Sequence, residues 1–188
     1  MHTLHSDIES ILISEDELHA RVVELGREIT QDYADVEEGI VVISVLRGAA
    51  IFMADLVREI DLPVEMDYMA ISSYGNGFQS SGVVRILKDI TTDIEGKHVI
   101  IAEDIVDSGL TLAYTIKNLL AHHPASLQVV TLLRKEKEGQ HEFDCRYVGF
   151  EAPDAFIVGY GLDYAERYRN LPYLGVLKRE VYNTNRSH

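Results

Sequence analysis

Apolar residues in the first quarter of the chain change from a helical spacing to a continuous run. Ser14 stands three residues before Glu17, the spacing of a capping box, and the apolar residues that follow recur every three or four positions. This spacing predicts a helix over about 15–33. The run GIVVISVL (39–46) is continuous and β-branched, which is typical of a strand buried on both faces. The pattern therefore indicates a central parallel sheet.

Strand-like and helix-like stretches then alternate. GAAIFMADLVREI (48–60) has a helical pattern and VEMDYMAIS (64–72) a strand pattern, so this part forms a βαβ unit with the preceding strand. KHVIIAE (97–103), GLTLAYTIKNLLAHH (109–123) and LQVVTLL (127–133) repeat the order strand, helix, strand. Such alternation predicts an α/β fold.

The rest of the chain gives weaker signals. SYGNGFQSSG (73–82) is polar and glycine-rich and predicts a mobile loop, and VVRILKDI (83–90) predicts another strand. Short apolar pieces follow at 146–150 and 155–160. No linker or repeat interrupts the sequence, so we expect one domain over 1–188, with a small appended region built from the N-terminal segment and parts of the tail.

Composition and charge exclude several classes of protein. The 188 residues are 46% hydrophobic and 26% charged, as expected for a globular domain. The net charge of −14 disfavours adhesion to nucleic acid or to anionic lipid. Cys145 is the only cysteine, which predicts a reducing compartment and hence the cytoplasm. The N-terminus has no signal-peptide pattern, and no apolar run reaches the ~18 residues of a membrane span.

The stretch VIIAEDIVDSGLTL (99–112) places adjacent acidic residues at the end of a predicted buried strand. In open parallel sheets, ligands bind beyond the carboxyl ends of the strands, where Glu103 and Asp104 stand. A divalent cation such as Mg²⁺, which prefers oxygen ligands, would relieve the repulsion between the two carboxylates. The alternative is a solvated loop.

The DSGLT segment that follows has two interpretations. Ser108, Gly109 and Thr111 stand at a predicted helix N-terminus, where backbone amides and the helix dipole attract phosphate. Asp107 and Ser108 are also good helix-capping residues. From these residues alone, a cap and a phosphate cradle remain equally open.

The same stretch resembles the phosphoribosyl-pyrophosphate motif of the type I phosphoribosyltransferases, two acidic residues followed by a D-[ST]-G-x-T phosphate loop. Four more blocks extend the resemblance, to the bacterial hypoxanthine-guanine phosphoribosyltransferases, over nearly the whole chain. They are VISVLRGAAIFMADL, DYMAISSYGNGFQSSGVVRILKD, VVTLLRKEKE and VGFEAPDAFIVGYGLDYAERYRNLPYLGVL. The resemblance implies a Rossmann-like central parallel sheet flanked by helices, with a small hood region and a flexible lid loop.

The resemblance also implies a reaction in purine salvage. In this family, N9 of hypoxanthine or guanine displaces pyrophosphate from C1 of phosphoribosyl pyrophosphate, giving IMP or GMP, with Mg²⁺ as cofactor. The implied partners are therefore these small molecules, with neither nucleic acid nor a membrane. Relatives form dimers or tetramers, so we expect a homodimer or a homotetramer.

The resemblance assigns roles to the acidic stretch. Asp107 is the expected catalytic residue, a proton acceptor near N7 of the purine. Glu103 and Asp104 are expected to meet the ribose hydroxyls and, together with Asp163, to bind the metal. The expected 5′-phosphate site consists of Asp107, Ser108, Gly109, Leu110 and Thr111.

The implied purine site lies later in the chain. Lys135 is expected to contact O6, which favours a 6-oxopurine over adenine because a 6-amino group offers no comparable acceptor. Phe156 is expected to stack on the purine, and the main chain of Ile157 and Val158 to contact its edge. Without the resemblance, Lys135 would be a solvated loop residue and Phe156 a core residue. Arg134 departs from the acidic residue usual at its position.

The implied pyrophosphate site combines two loops. Leu46, Arg47 and Gly48 match a loop that contains a non-proline cis peptide in relatives, here between Leu46 and Arg47. Arg47 replaces the usual lysine, and its guanidinium has a different donor geometry from an ammonium. Arg169 matches a second pyrophosphate contact, although a surface ion pair is the simpler interpretation.

Ser73 and Tyr74 match the start of a lid that closes over the site. Closure would exclude water, which otherwise hydrolyses the phosphoribosyl donor. Without the resemblance, this segment is simply a long hairpin tip.

Three other functions compete with the leading one. A related enzyme could prefer xanthine, because the purine 2-position is read partly by main-chain groups. A non-catalytic regulator could keep the fold and bind RNA, but a net charge of −14 argues against this. A simple nucleotide-binding module is the third alternative.

Overall fold

The computed structural model describes residues 3–73, 84–107, 109–135 and 145–183. Its strands are β1 Ile8–Ile13, β2 Ile40–Leu46, β3 Val64–Ser73, β4 Val84–Lys88, β5 His98–Val106, β6 Ser126–Lys135, β7 Tyr147–Ala152, β8 Ile157–Val158 and β9 Leu174–Leu177. Its α-helices are α1 Glu15–Asp32, α2 Ala50–Arg58, α3 Leu110–Leu120 and α4 Arg179–Asn183, and a 3-10 turn spans Leu4–Asp7. Ser14 caps α1 in a complete capping box with Glu17, as predicted.

The larger sheet has six strands in the order β4-β3-β2-β5-β6-β7. All neighbouring pairs are parallel except β3 with β4. The helices α2 and α3 connect β2 to β3 and β5 to β6, which brings the carboxyl ends of β2, β5 and β6 to one edge. The central parallel sheet predicted from the apolar runs is therefore confirmed.

Helices cover both faces of this sheet. Ile40 and Val42 of β2 belong to a buried cluster with residues of α1 and α2, while Val41 and Ile43 belong to a second cluster with residues of α3. Because successive residues of a strand point to opposite faces, a strand buried on both faces must be apolar throughout. Each such side chain contributes about 1.5–3 kcal/mol by its burial.

A second sheet has three strands in the order β1-β9-β8 and joins the N-terminal segment to the tail. The pairs are antiparallel, with Ile13 beside Leu174 and Ile157 beside Val176. Lys178 extends the connection, because its amide donates to Asp7 O at 2.9 Å. We call this three-stranded sheet the small sheet.

The element predictions were wrong at a few places. Strand β5 continues three residues beyond the predicted end at 103, and it contains both Glu103 and Asp104. The strands β1 and β9 and the helix α4 were not predicted. Strand β1 gives a weak signal because it is short, mostly exposed and irregular in register. The stretch 155–160 contributes only the two residues of β8. The predicted mobile loop lies almost entirely outside the described residues.

Asp67 of β3 fixes the chain that follows β4. Its buried carboxylate accepts hydrogen bonds from the amides of Thr91 at 2.6 Å, Thr92 at 2.8 Å and Tyr68 at 2.7 Å, and from Lys88 Nζ at 3.1 Å. Burial alone would raise the pKa of Asp67, but these donors outweigh it and hold the pKa far below its usual range. Asp67 is therefore a charged anchor between β3 and the segment that follows β4.

None of the helices in the described ranges is long and apolar enough to cross a membrane.

Candidate active site

A cavity of about 240 Å³ lies where β5 gives way to α3. It is lined by Glu103, Asp104, Ile105, Val106, Asp107, Gly109, Thr111 and Leu112. Of the predicted ribose and phosphate residues that the structure describes, all except Leu110 therefore line one open space. Within the described ranges, no side chain fills this corner, which is the arrangement that a bound sugar phosphate requires.

Glu103 and Asp104 bring two carboxylates to the buried end of β5. Glu103 is only 9% exposed and pairs with Thr131 of β6 in the sheet register. Burial and, next, the charge of Asp104 raise the pKa of Glu103 well above its usual value. Burial also raises the pKa of Asp104, whose Oδ1 accepts from the amide of Ile105 at 2.8 Å. Both carboxylates thus favour a nearby cation or hydroxyl donors.

The loop at the end of β2 is held between β5 and the tail. The peptide between Leu46 and Arg47 is cis, as the resemblance predicted. A Cβ on Gly48 would lie 1.7 Å from Oδ2 of Asp104, and a Cβ on Gly161 would lie 2.1 Å from the carbonyl oxygen of Gly48. The contact at Gly161 is with main chain and its φ is +103, so that position requires glycine, whereas a Cβ at Gly48 would force the carboxylate of Asp104 to move. The expected pyrophosphate loop is therefore packed directly against the acidic strand end.

The N-terminus of α3 adjoins the cavity. Gly109 has φ +71 and occupies the N-cap position, where no side chain forms a capping hydrogen bond. Asp107 is half-buried, lies two residues earlier and is not the N-cap. The first amides of a helix have no partners within the helix, so this end can receive an anion. Ser108 lies outside the described residues.

The expected purine residues Lys135 and Phe156 approach each other at the end of β6. Nζ of Lys135 donates to the carbonyl oxygen of Ala155 at 3.2 Å, one residue before Phe156. The ring of Phe156 is half-buried and stacks on Tyr182 of α4, with centroids 5.0 Å apart and an interplanar angle of 23°. Tyr164 meets it edge-on at 5.3 Å. Lys135 is half-buried and therefore not fully solvated, and Phe156 packs at the edge of the buried cluster around Val158 and Tyr168, which also fits the core interpretation.

Ile157 and Val158 form β8, and both are buried. Strand β8 pairs with β9 and is an edge strand of the small sheet, so its main chain pairs with another strand on only one side. An edge strand leaves main-chain donors and acceptors for a ligand. The position is compatible with the expected contact to the purine edge.

Asp163 and Arg169 pair with each other. Nη2 of Arg169 lies 2.8 Å from Oδ1 of Asp163, and Nη1 donates to the carbonyl oxygen of Gly161 at 2.7 Å. Oδ2 of Asp163 accepts from the amide of Glu166 at 2.9 Å. Glu166 in turn pairs with Arg47 at 2.9 Å. The two expected pyrophosphate residues, Arg47 and Arg169, are thus brought together around one glutamate.

Glu103, Asp104 and Asp163 do not assemble into a complete metal site. Among the described residues, no group of three His, Cys, Asp or Glu side chains could hold a metal ion. Both carboxylate oxygens of Asp163 have partners, Arg169 and the amide of Glu166. Mg²⁺ usually binds through one or two carboxylates together with substrate phosphates, so the adjacent Glu103 and Asp104 still fit such an ion.

Arg134, which stands where the family usually has an acidic residue, forms an ion pair with an acidic residue of the neighbouring strand. Its guanidinium pairs with the carboxylate of Glu151, which lies beside it in the register of β6 and β7. Nε of Arg134 lies 3.1 Å from Oε1 of Glu151. The extra positive charge therefore has a partner of opposite sign.

Sequence reasoning missed Gly161, Glu166 and Tyr182. The glycines that flank Tyr160 were a weak signal for the close approach at Gly161, but nothing in the tail sequence indicates that Glu166 reaches Arg47.

Ser73 ends β3, which places the start of the expected lid at the carboxyl edge of the sheet. Tyr74 lies outside the described residues.

Comparison with known proteins agrees with this geometry. Residues 14–165 match the family model described as the phosphoribosyl transferase domain. The hypoxanthine-guanine phosphoribosyltransferase of Bacillus subtilis (strain 168) is 53% identical, covering 95% of this chain and 98% of that protein. The protein of the same name from Mycobacterium avium is 52% identical, over 94% and 89% of the two chains.

A solved structure is similar over the same extent. The crystal structure of a hypoxanthine phosphoribosyltransferase from Staphylococcus aureus superposes with a TM-score of 0.90 at 43% identity, covering 97% of this chain and 98% of that one. The family match covers most of the chain, and the relatives are similar over nearly their full length. Fold, cavity and sequence agree that this chain belongs to the phosphoribosyltransferase family.

Proposed function

We propose that this protein is a hypoxanthine-guanine phosphoribosyltransferase of purine salvage. It transfers the 5-phosphoribosyl group from phosphoribosyl pyrophosphate to N9 of hypoxanthine or guanine, giving IMP or GMP and pyrophosphate. The observation that carries the proposal is the open cavity at the end of β5, where Glu103, Asp104 and Asp107 face the start of α3. The names of the relatives support the choice of a 6-oxopurine.

In this proposal, the start of α3 binds the 5′-phosphate. Its amides and the positive end of the helix dipole attract the anion, and Gly109 allows the backbone to approach it closely. The hydroxyl of Thr111 donates a further hydrogen bond. The phosphate-binding residues are Asp107, Ser108, Gly109, Leu110 and Thr111.

Glu103 and Asp104 accept hydrogen bonds from the ribose hydroxyls. Their mutually repelling carboxylates fit a divalent cation. We propose that Glu103 and Asp104 hold the Mg²⁺ that binds with the substrate, and that Asp163 contributes from the opposite side of the site. When bound, Mg²⁺ neutralises charge on the leaving pyrophosphate. The protein itself orients the sugar so that C1 stays open to the purine.

The leaving pyrophosphate is bound by the loop Leu46–Gly48 and by Arg169. The packing of Gly48 against Asp104 fixes this loop beside the ribose. Arg47 and Arg169 each offer several N–H donors to phosphate oxygens, and their positive charges stabilise the charge that develops on the leaving group.

The purine occupies the space beside Lys135 and Phe156. Lys135 donates to O6, Phe156 stacks on the ring, and the main chain of Ile157 and Val158 contacts its edge. Asp107 lies near N7 of the purine in this proposal and accepts the N7 proton as N9 bonds to C1. Ser73 and Tyr74 begin the lid that excludes water during the reaction.

We further propose a single catalytic domain in the cytoplasm that assembles as a homodimer or homotetramer. A single cysteine fits a reducing compartment. Sedimentation velocity measures the assembly.

Product formation from phosphoribosyl pyrophosphate and Mg²⁺ with each of four purines tests the function. We expect IMP from hypoxanthine and GMP from guanine, with no product from adenine. Activity on xanthine alone would overturn the proposed specificity, and no nucleotide from any purine would overturn the proposed function. Asp107→Asn is expected to lower kcat about 100-fold or more while substrate binding changes little.

A further inference from the structure

Glu166 contacts both arginines that we assign to the pyrophosphate. Its Oε1 lies 2.9 Å from Nη2 of Arg47, and its Oε2 lies 3.5 Å from Nη2 of Arg169. These arginines come from the end of β2 and from the tail, so only the folded chain brings them to one carboxylate. A carboxylate between two guanidinium groups makes the type of contact that a phosphate group would make.

The backbone around Glu166 forms a defined turn. Ala165 and Glu166 have φ of +50 and +63, a left-handed conformation that residues other than glycine rarely adopt. The amide of Glu166 donates to Asp163, and Tyr164 and Arg167 exchange two main-chain hydrogen bonds of 3.2 and 3.0 Å around the turn. The position of Glu166 is therefore a property of the folded turn.

The contact can be opened by a stronger anion. The side chains of Arg47 and Glu166 are 68% and 58% exposed, and exposed ion pairs are weak because water screens them. Arg169 is only 26% exposed and has a shorter contact with Asp163, at 2.8 Å, so its contact with Glu166 is the weaker of the two. A pyrophosphate carries more negative charge than one carboxylate, so it can displace Glu166 from both arginines.

We propose that Glu166 is an internal counter-anion that competes with pyrophosphate for Arg47 and Arg169. The inference rests on the proposed function, which assigns these arginines to the pyrophosphate. The carboxylate weakens the binding of the pyrophosphate group, in the donor and in the product, through competition and repulsion. After the transfer, Glu166 returns to the arginines and favours release of the product.

The substitution Glu166→Gln tests this role, because it removes the charge and keeps the size of the side chain. We expect the KM for phosphoribosyl pyrophosphate and the inhibition constant of inorganic pyrophosphate to fall about three- to tenfold, with an unchanged KM for hypoxanthine. Glu24→Gln is the matched control, since Glu24 is 60% exposed and pairs with Arg21 at 2.8 Å on α1. This control should change none of the three constants.

Unchanged or raised constants for both pyrophosphate ligands in Glu166→Gln would overturn the inference. Calorimetric titration of inorganic pyrophosphate into the wild type and both glutamine variants separates the inference from the proposed function, because the titration needs no turnover. A wild type that makes no nucleotide overturns the proposed function alone. Tighter binding of inorganic pyrophosphate by Glu166→Gln still supports the competition, and equal binding contradicts it.

Discussion

The hydroxyl of Tyr160 donates a 2.6 Å hydrogen bond to Oδ2 of Asp55, across the boundary between the tail and α2. Tyr160 precedes Gly161, which presses against Gly48, and α2 begins two residues after Gly48. Burial and this hydrogen bond both raise the pKa of Tyr160, so the hydroxyl stays protonated and donates. The hydrogen bond therefore ties the tail to α2, next to the expected pyrophosphate loop.

Replacing Tyr160 by phenylalanine should loosen this loop. We expect Tyr160→Phe to lower the free energy of unfolding by about 1 kcal/mol and to raise the KM for phosphoribosyl pyrophosphate more than the KM for hypoxanthine. Tyr147→Phe is the matched control, because Tyr147 donates a similar 2.7 Å bond to Asp32, on α1. Equal effects of the two variants on the pyrophosphate-donor KM would contradict a positioning role of Tyr160.

Glu103 is expected to destabilise the protein in the absence of ligands. Its folded-state pKa is raised, so its favourable contribution is complete below its unfolded pKa of about 4.3 and is lost as the pH rises through the folded value. Glu103→Gln cannot ionise, and it should raise the melting temperature at pH 7.5 more than at pH 5. Thermal unfolding without Mg²⁺ and substrate measures this, together with a loss of activity.

The exposed Glu95 supplies the control for this comparison. Glu95→Gln removes the same charge from the surface and should leave the melting temperature nearly unchanged at both pH values. A Glu103→Gln variant that is less stable than the wild type at pH 7.5 would show that the carboxylate stabilises the fold.

Asp67 has the opposite dependence on pH. Its folded-state pKa is depressed, so its stabilising contribution is present above its unfolded pKa of about 3.9 and is lost as the pH falls through the folded value. Asp67→Asn should lower the free energy of unfolding by about 2 kcal/mol at pH 7, because three main-chain amides and Lys88 lose a charged acceptor. Denaturant titrations should show this difference shrinking below about pH 4.

The control for Asp67 is Asp93, which is exposed and accepts one amide hydrogen bond, from Glu95 at 3.1 Å. We expect Asp93→Asn to cost less than about 1 kcal/mol, with little pH dependence. A difference between wild type and Asp67→Asn that stays constant from pH 7 to pH 3 would argue against the charged anchor.

The sequence predicted the parts of the fold that depend on local pattern. The run at β2 is apolar at every position because both faces are covered, and the acidic residues at the end of β5 were visible because they interrupt such a run. The end of β5 itself could not be predicted. Carboxylates at 103 and 104 resemble the start of a loop, whereas strand pairing with β6 continues through them.

Contacts between distant segments could not be derived from the pattern. Strand β1 pairs with β9 across nearly the whole length of the chain, and the tail also meets the loop after β2 through the contacts of Glu166 with Arg47 and of Gly161 with Gly48. The resemblance predicted the site residues, and its prediction of a cis peptide after Leu46 is confirmed. It did not reveal that Asp163 pairs with Arg169.

Tyr182 is expected to act through Phe156 as a positioning residue. The two rings stack at 5.0 Å, so one face of Phe156 is covered and the ring is held in one orientation. Tyr182→Leu removes the stack and should raise the KM for hypoxanthine about 2- to 10-fold, as an aromatic pair contributes about 0.5–1.5 kcal/mol. Tyr182→Phe keeps the stack and should preserve the KM. Steady-state kinetics measures both variants, and an equal rise in the KM for phosphoribosyl pyrophosphate would indicate a general loss of structure instead of a role in purine binding.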